Sequence, residues 1–198
     1  NKAEATLTMK KLCAELLRYG SYAQRYKDYR TDALADSAMT EEHQIHLSDL
    51  DSVVFGNTNT VLNDLDAPSV LWVGKTLSME SKVSVKYVVN LSNYNGNMED
   101  LSLHISYMDA MGGRKEAVLT EMEAYIAAKG WYSFTFEDLL VAELRTVLSA
   151  QVYAGDTPVS ATMEYSPDTY GNGQTGLLEY LCRAMFAYSD SAKAFFVN

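Results

Sequence analysis

The chain has 198 residues, 47% of them hydrophobic and only 3 of them proline, with a net charge of −10 at pH 7. That composition is globular, and the negative charge argues against nucleic acid and anionic membrane surfaces, both of which would repel it. No apolar run reaches the roughly 18 residues of a membrane span, and neither a signal peptide nor a Lys/Arg-rich targeting segment is visible.

The chain enters a helix almost at once, as expected of an excised module or mature fragment, so no leader states its compartment. Residues 2–29 predict that helix, with Met9, Leu12, Leu16, Gly20, Ala23 and Tyr26 on its core face. Tyr19, Tyr22, Tyr26 and Tyr29 form a second, aromatic edge. Residues 31–66 read as a polar connecting arm held by Leu34, Ile45, Leu47 and Leu50, with a short strand at 52–55 beside the turn-rich Gly56-Asn-Thr-Asn.

Strand signals fill residues 67–166. Val83, Val85, Tyr87 and Val89 alternate with Lys82, Ser84 and Lys86, and Leu101, Leu103, Ile105 and Tyr107 with Ser102, His104 and Ser106, the period-two mark of a half-buried strand. Further strands are expected at 115–120 and 131–136, a short helical turn at 137–144, and a hairpin of 145–153 with 159–165 across Gly155-Asp-Thr-Pro158. About seven or eight strands with frequent turn signals make an antiparallel sandwich.

Residues 174–197 predict a closing helix with Leu178, Leu181, Cys182, Met185, Ala192 and Phe195 on one face. This helix echoes the first at an offset of 169 residues: Leu12 matches Leu181, Cys13 matches Cys182, Leu16 matches Met185 and Tyr19 matches Tyr188. The expectation is an α+β fold of one domain over 1–198. A helix at 1–30, an arm at 31–66 and a sandwich at 67–166 precede the helix at 174–197, and the packed terminal helices clasp the sandwich. If those helices pack antiparallel, Cys13 and Cys182 could reach bonding distance, closing a loop of 169 residues worth about 5 kcal/mol in the chain-entropy account. The alternative is that both are small buried hydrophobes.

Chemistry is scarce. Gly171-Asn-Gly-Gln-Thr-Gly176 matches G-x-G-x-x-G and opens a helix, but the dinucleotide fingerprint also needs a following parallel strand and an acid about 20 residues on. Phe195 and Phe196 stand there instead, so a plain loop is expected and no cofactor. His43 and His46 lie beside Glu41 and Glu42 in the polar arm, short of the three or four ligands of a zinc site; no metal is expected. His104 falls on the polar side of its strand. Asn93, Asn95, Asn97 and Asp100 offer oxygens but few carboxylates, leaving calcium in that loop open. Glu137, Asp138, Glu143 and Glu164 could supply a carboxylate pair, although nothing in their spacing selects them, and an enzyme is not expected.

Two aromatics stand out. Trp131 shares a face with Ser133 and Thr135, opposite Tyr132, Phe134 and Phe136, and Trp72 is out of phase with Leu71, Val73 and Leu77. Both indoles are therefore expected to point outward, where a flat ring among polar residues suits stacking on the C–H face of a sugar. The competing reading makes them the floor beneath a covering helix.

Leu16-Leu-Arg-Tyr-Gly-Ser-Tyr-Ala-Gln-Arg-Tyr26 with Thr31-Asp-Ala-Leu-Ala-Asp36 resembles the opening of a module of large secreted and cell-surface proteins from Gram-positive gut anaerobes. Phe136-Glu-Asp-Leu-Leu-Val-Ala-Glu-Leu-Arg145 and Tyr188-Ser-Asp-Ser-Ala-Lys-Ala-Phe195 resemble its later blocks, in the same order. Ser189, where a glycine is usual, and the two cysteines depart from the pattern. The resemblance implies a non-catalytic, C-terminal-type module in an extracellular setting, where a disulfide is permitted. Its expected partners are polysaccharide or neighbouring protein domains, with no insertion into a membrane. A structural spacer or protein-docking role is the other expectation.

Overall fold

A computed structural model describes residues 2–79 and 82–197. The chain forms two compact units, one from Asn1–Gly56, Leu140–Arg145 and Asp168–Asn198, the other from Asn57–Leu139 and Thr146–Pro167.

The first unit is built on helix α1 (Lys2–Tyr26), a single turn α2 (Glu41–Gln44) and helix α3 (Gly176–Val197). α1 and α3 pack against each other and run antiparallel, because Tyr19 stacks on Tyr188 and Tyr22 on Tyr180, each with centroids 6.0 Å apart. The expected inward stripe of α1 fails at three of its six positions, while Leu12, Gly20 and Ala23 are half-buried. Met9, Leu16 and Tyr26 are 53%, 45% and 41% exposed, whereas Ala14, Glu15 and Ser21 are buried. The reason is the arm, which fastens to polar side chains on α1. Glu15 accepts from the Ser48 amide at 2.7 Å and Arg18 donates to the Ser48 carbonyl at 2.6 Å. Ser21 Oγ accepts from the Asp36 amide, and Gln24 both accepts from the Ala35 amide and donates to the Ala33 carbonyl. Buried polar groups need partners, and here the arm's backbone supplies them.

No strand forms at 52–55. Leu50–Ser52 is a 3-10 turn, and Arg183 of α3 donates to the carbonyls of Leu50 and Val53 at 3.0 and 2.7 Å, groups a strand would have given to a neighbour. Arg145 ties the same unit together. Its guanidinium holds Asp190 through two bonds of 2.6 and 2.9 Å, Asp168 at 3.1 Å and the Val54 carbonyl at 2.9 Å. It also lies 5.4 Å from the centre of the Phe186 ring.

The second unit is β. Its strands are β1 (Asn59–Val61), β2 (Leu71–Met79), β3 (Val83–Asn90), β4 (Leu101–Met108), β5 (Arg114–Leu119), β6 (Glu123–Ile126), β7 (Trp131–Phe136), β8 (Leu148–Ala154), β9 (Thr157–Pro158) and β10 (Met163–Tyr165). They form a six-stranded sheet in the order β1-β10-β8-β4-β5 with β9 on β8, and a four-stranded sheet in the order β2-β3-β7-β6. Every pairing is antiparallel.

Leu101, Leu103, Ile105, Leu148, Ala150 and Val152 are buried on the inner face of the larger sheet, and Val85, Tyr87, Val89, Phe134 and Phe136 on that of the smaller. Tyr107 of β4 meets Phe136 of β7 edge-to-face at 5.8 Å, which joins the two inner faces. The fold is thus α+β, an antiparallel sandwich with N- and C-terminal helices packed on each other. The strands missed in the sequence, β1, β6 and β9, are two to four residues long, too short to show a period.

Candidate functional site

The register of the four-stranded sheet decides what its two tryptophans can do. Across β2, β3 and β7, Leu71 pairs with Asn90 and Asn90 with Trp131, while Trp72 pairs with Val89 and Val89 with Tyr132. Directly paired residues share a face and successive residues alternate, so Trp72 and Trp131 point to opposite sides. Trp72 faces inward. Its ring lies 5.9 Å from the buried Tyr87 and its indole N–H donates to the Ala161 carbonyl at 2.7 Å. The expectation of an outward Trp72 fails because β2 carries a bulge between Trp72 and Gly74. The extra residue resets the alternation, so Trp72 and Leu77 both face the core although they differ in parity, and Leu71 and Val73 are each 39% exposed.

Trp131 does point outward. Gly130 delivers it, holding a left-handed φ of 67° that closes the 3-10 turn Ala127–Lys129. A Cβ at Gly130 would stand 2.8 Å from Ser92 Oγ, so glycine is required there by both conformation and space. The half-exposed indole carries the Lys129 ammonium 4.7 Å above its ring. Such a contact at an exposed site is worth about 0.5–1 kcal/mol, weak enough for a ligand to displace.

Asn90, Ser133 and Thr135 share the outer face with Trp131. Next to them runs a groove of about 500 Å³, whose lining includes Ser133, Thr135, Glu121, Glu123 and Asp138. Trp131 does not line this groove. It stands one step of the period-two repeat, about 7 Å, from Ser133.

The remaining sequence candidates are dispersed. Glu137 pairs with Lys82 at 2.7 Å, the buried Glu143 accepts from the Leu140 amide at 3.1 Å, and Glu164 lies on β10 of the other sheet. Glu137 and Asp138 line the outer groove; Glu143 and Glu164 do not join them. His43 Nδ1 lies 2.9 Å from the Thr40 hydroxyl that caps α2. Among the described residues, no group of three or more His, Cys, Asp or Glu side chains could hold a metal ion. In the 93–100 loop, Asn97 caps the turn Met98–Asp100 by accepting from the Glu99 amide.

The glycine-rich segment before α3 serves packing. A Cβ at Gly171 would fall 2.3 Å from the Phe55 ring, so that glycine makes room for an aromatic side chain. Among the described residues, no helix is long and apolar enough to cross a membrane.

Cys13 and Cys182 are both free, and the antiparallel register explains why. Each stands six residues before a member of the stacked pair Tyr19 and Tyr188. In antiparallel helices those six residues run in opposite directions, which separates the cysteines by about 18 Å along the axis. A disulfide needs Cα atoms no more than about 7 Å apart.

Burial pushes the Cys182 thiol up to about 11, with Glu179 adding to the shift. A thiol reagent at pH 8 is therefore expected to titrate the exposed Cys13 at once and Cys182 only after unfolding. Prompt reaction of both, or of neither, would contradict the assignment. A thiol raised above its unfolded value leaves stability intact below about pH 9, its ordinary value, and lowers it as pH rises from there through the folded pKa.

Compared with protein-family models, with curated proteins and with solved structures, the chain finds no match in any of the three.

Proposed function

We propose that the chain is a non-catalytic module of a secreted or cell-surface multidomain protein and that it binds polysaccharide on the outer face of its four-stranded sheet. The observation that carries this reading is the placement of Trp131, a half-exposed indole on the outer face of a strand that also carries the half-buried Thr135 there, with Ser133 between them buried. A pyranose ring offers an apolar C–H face and a rim of hydroxyls. The indole would remove the first from water, and Asn90 and Thr135 on the same face, with the carboxylates of Glu121 and Glu123 along the groove, supply polar groups for the second.

Trp131→Ala is expected to weaken polysaccharide binding about thirtyfold, the roughly 2 kcal/mol of an aromatic hot spot, with little change in thermal midpoint. Affinity electrophoresis in polysaccharide gels measures it, and unchanged retardation of the variant would refute the role given to Trp131. The docking-module reading has its own observation, the exposed stripe of Met9, Cys13 and Leu16 on α1. Silence towards every polysaccharide would favour it.

A further inference from the structure

We propose a second, separate sugar-binding face on the six-stranded sheet, floored by the ring pair His104 and Tyr153 and selective for neutral glycans; it rests on the binding-module reading and uses none of the residues around Trp131. The two rings lie 4.4 Å apart, tilted by 31°, at diagonal positions of β4 and β8, where His104 pairs with Gln151 and Ser102 with Tyr153. Both are half-buried, and they open on a groove of about 290 Å³, near the lower end of small-molecule sites.

The floor is held in place. Tyr153 Oη donates to Gln151 Oε1 at 3.0 Å and Gln151 Nε2 donates to the Ser160 carbonyl at 3.0 Å, while Ser102 Oγ lies 3.0 Å from His104 Nε2. The rings are thus set before any ligand arrives, which lowers the ordering cost of binding.

The walls choose the ligand class. Ser106 and Ser149 face each other across β4 and β8 and line the groove. Each brings a hydroxyl able to donate and accept. The charged pair at the rim, Arg114 and Glu116, is bonded to itself at 3.0 Å. The carboxylate and guanidinium groups lining the groove are this one pair, and a single carboxylate, Glu164, stands beside Ser149 on the next strand. The groove offers no uncompensated cation to an anion and no carboxylate cluster to a cation. The two rings lie over one another, so one outer ring face, with the paired hydroxyls and the Gln151 amide beside it, is what the groove offers to a polyhydroxylated, uncharged ring.

The test is affinity electrophoresis of the whole chain in gels of mixed-linkage β-glucan, xylan, galactomannan and, as the charged control, polygalacturonate. Tyr153→Ala is expected to weaken binding to a neutral polymer about tenfold or more, and Tyr153→Phe, which keeps the ring, much less. Tyr153→Ala combined with Trp131→Ala should abolish retardation where each single variant leaves a residue of it. In the unmodified chain the same polymer should slow carbethoxylation of His104, read by mass spectrometry, which needs no variant to fold. Tyr153→Ala binding like the parent while Trp131→Ala loses all affinity overturns this second face and leaves the Trp131 reading standing. Retardation by polygalacturonate alone overturns the neutral class, and silence of the parent towards all four overturns both readings.

Discussion

Replacing Phe136 by alanine is expected to lower the stability of the β unit by about 3–5 kcal/mol, the range for deleting a fully buried aromatic ring. Phe136 is 0% exposed, pairs with Val85 across β7 and β3, and meets Tyr107 of the opposing sheet. The lost ring therefore removes contacts from the middle of the sandwich. Close-packed neighbours collapse only partly into such a space, so the transfer and cavity terms add. Both tryptophans belong to this unit, which makes indole fluorescence during urea unfolding its reporter, while the long helices α1 and α3 dominate the 222 nm ellipticity. A fluorescence midpoint that does not move would remove Phe136 from the core described above.

Arg145→Ala is expected to cost the helical unit about 3 kcal/mol, the lower end for removing one partner of a buried ion pair. The magnitude rests on Asp168 and far less on Asp190. The Asp168 side chain is 6% exposed and that of Asp190 52%. An exposed ion pair is worth about 0–1 kcal/mol, whereas a buried carboxylate that loses its cation bears its desolvation cost. Asp190→Ala should accordingly cost less than about 1 kcal/mol. Arg145→Lys should fall between the two, because an ammonium keeps the charge but cannot reach Asp190, Asp168 and the Val54 carbonyl with one planar fork. The ellipticity midpoint measures the series. Equal losses for Arg145→Ala and Asp190→Ala would show that Asp168 does not depend on the guanidinium.

These two residues were not equally legible in the sequence. Phe136 ends a run in which Tyr132, Phe134 and Phe136 alternate with polar residues, so its inward direction follows from the pleat alone. Arg145 gave no such signal, since its partners come from positions 54, 168 and 190, and only the folded chain brings them to one guanidinium. The candidate site divides in the same way. Trp131 was readable because no bulge interrupts its pairing with β3, and Trp72 was not because a bulge beside Gly74 inverts the parity on which the reading relied. His104 showed its polar phase, but its contact with Tyr153 crosses between two strands 49 residues apart in the chain.

Local periodicity therefore determined the class of this protein: strands that bury one face, two long amphipathic helices at its ends, and a cysteine and a tyrosine repeated at one offset in both helices. Periods are set by backbone geometry and persist whatever the neighbours are. The tertiary structure decided direction and partnership. Antiparallel packing brought Tyr19 onto Tyr188 and carried Cys13 away from Cys182. The arm's unpaired amides and carbonyls turned Glu15, Arg18 and Ser21 of α1 inward, and the exposed Met9 and Leu16 were left outside. Helical spacing tells which residues share a face. Which face is buried depends on where distant backbone groups find their hydrogen bonds.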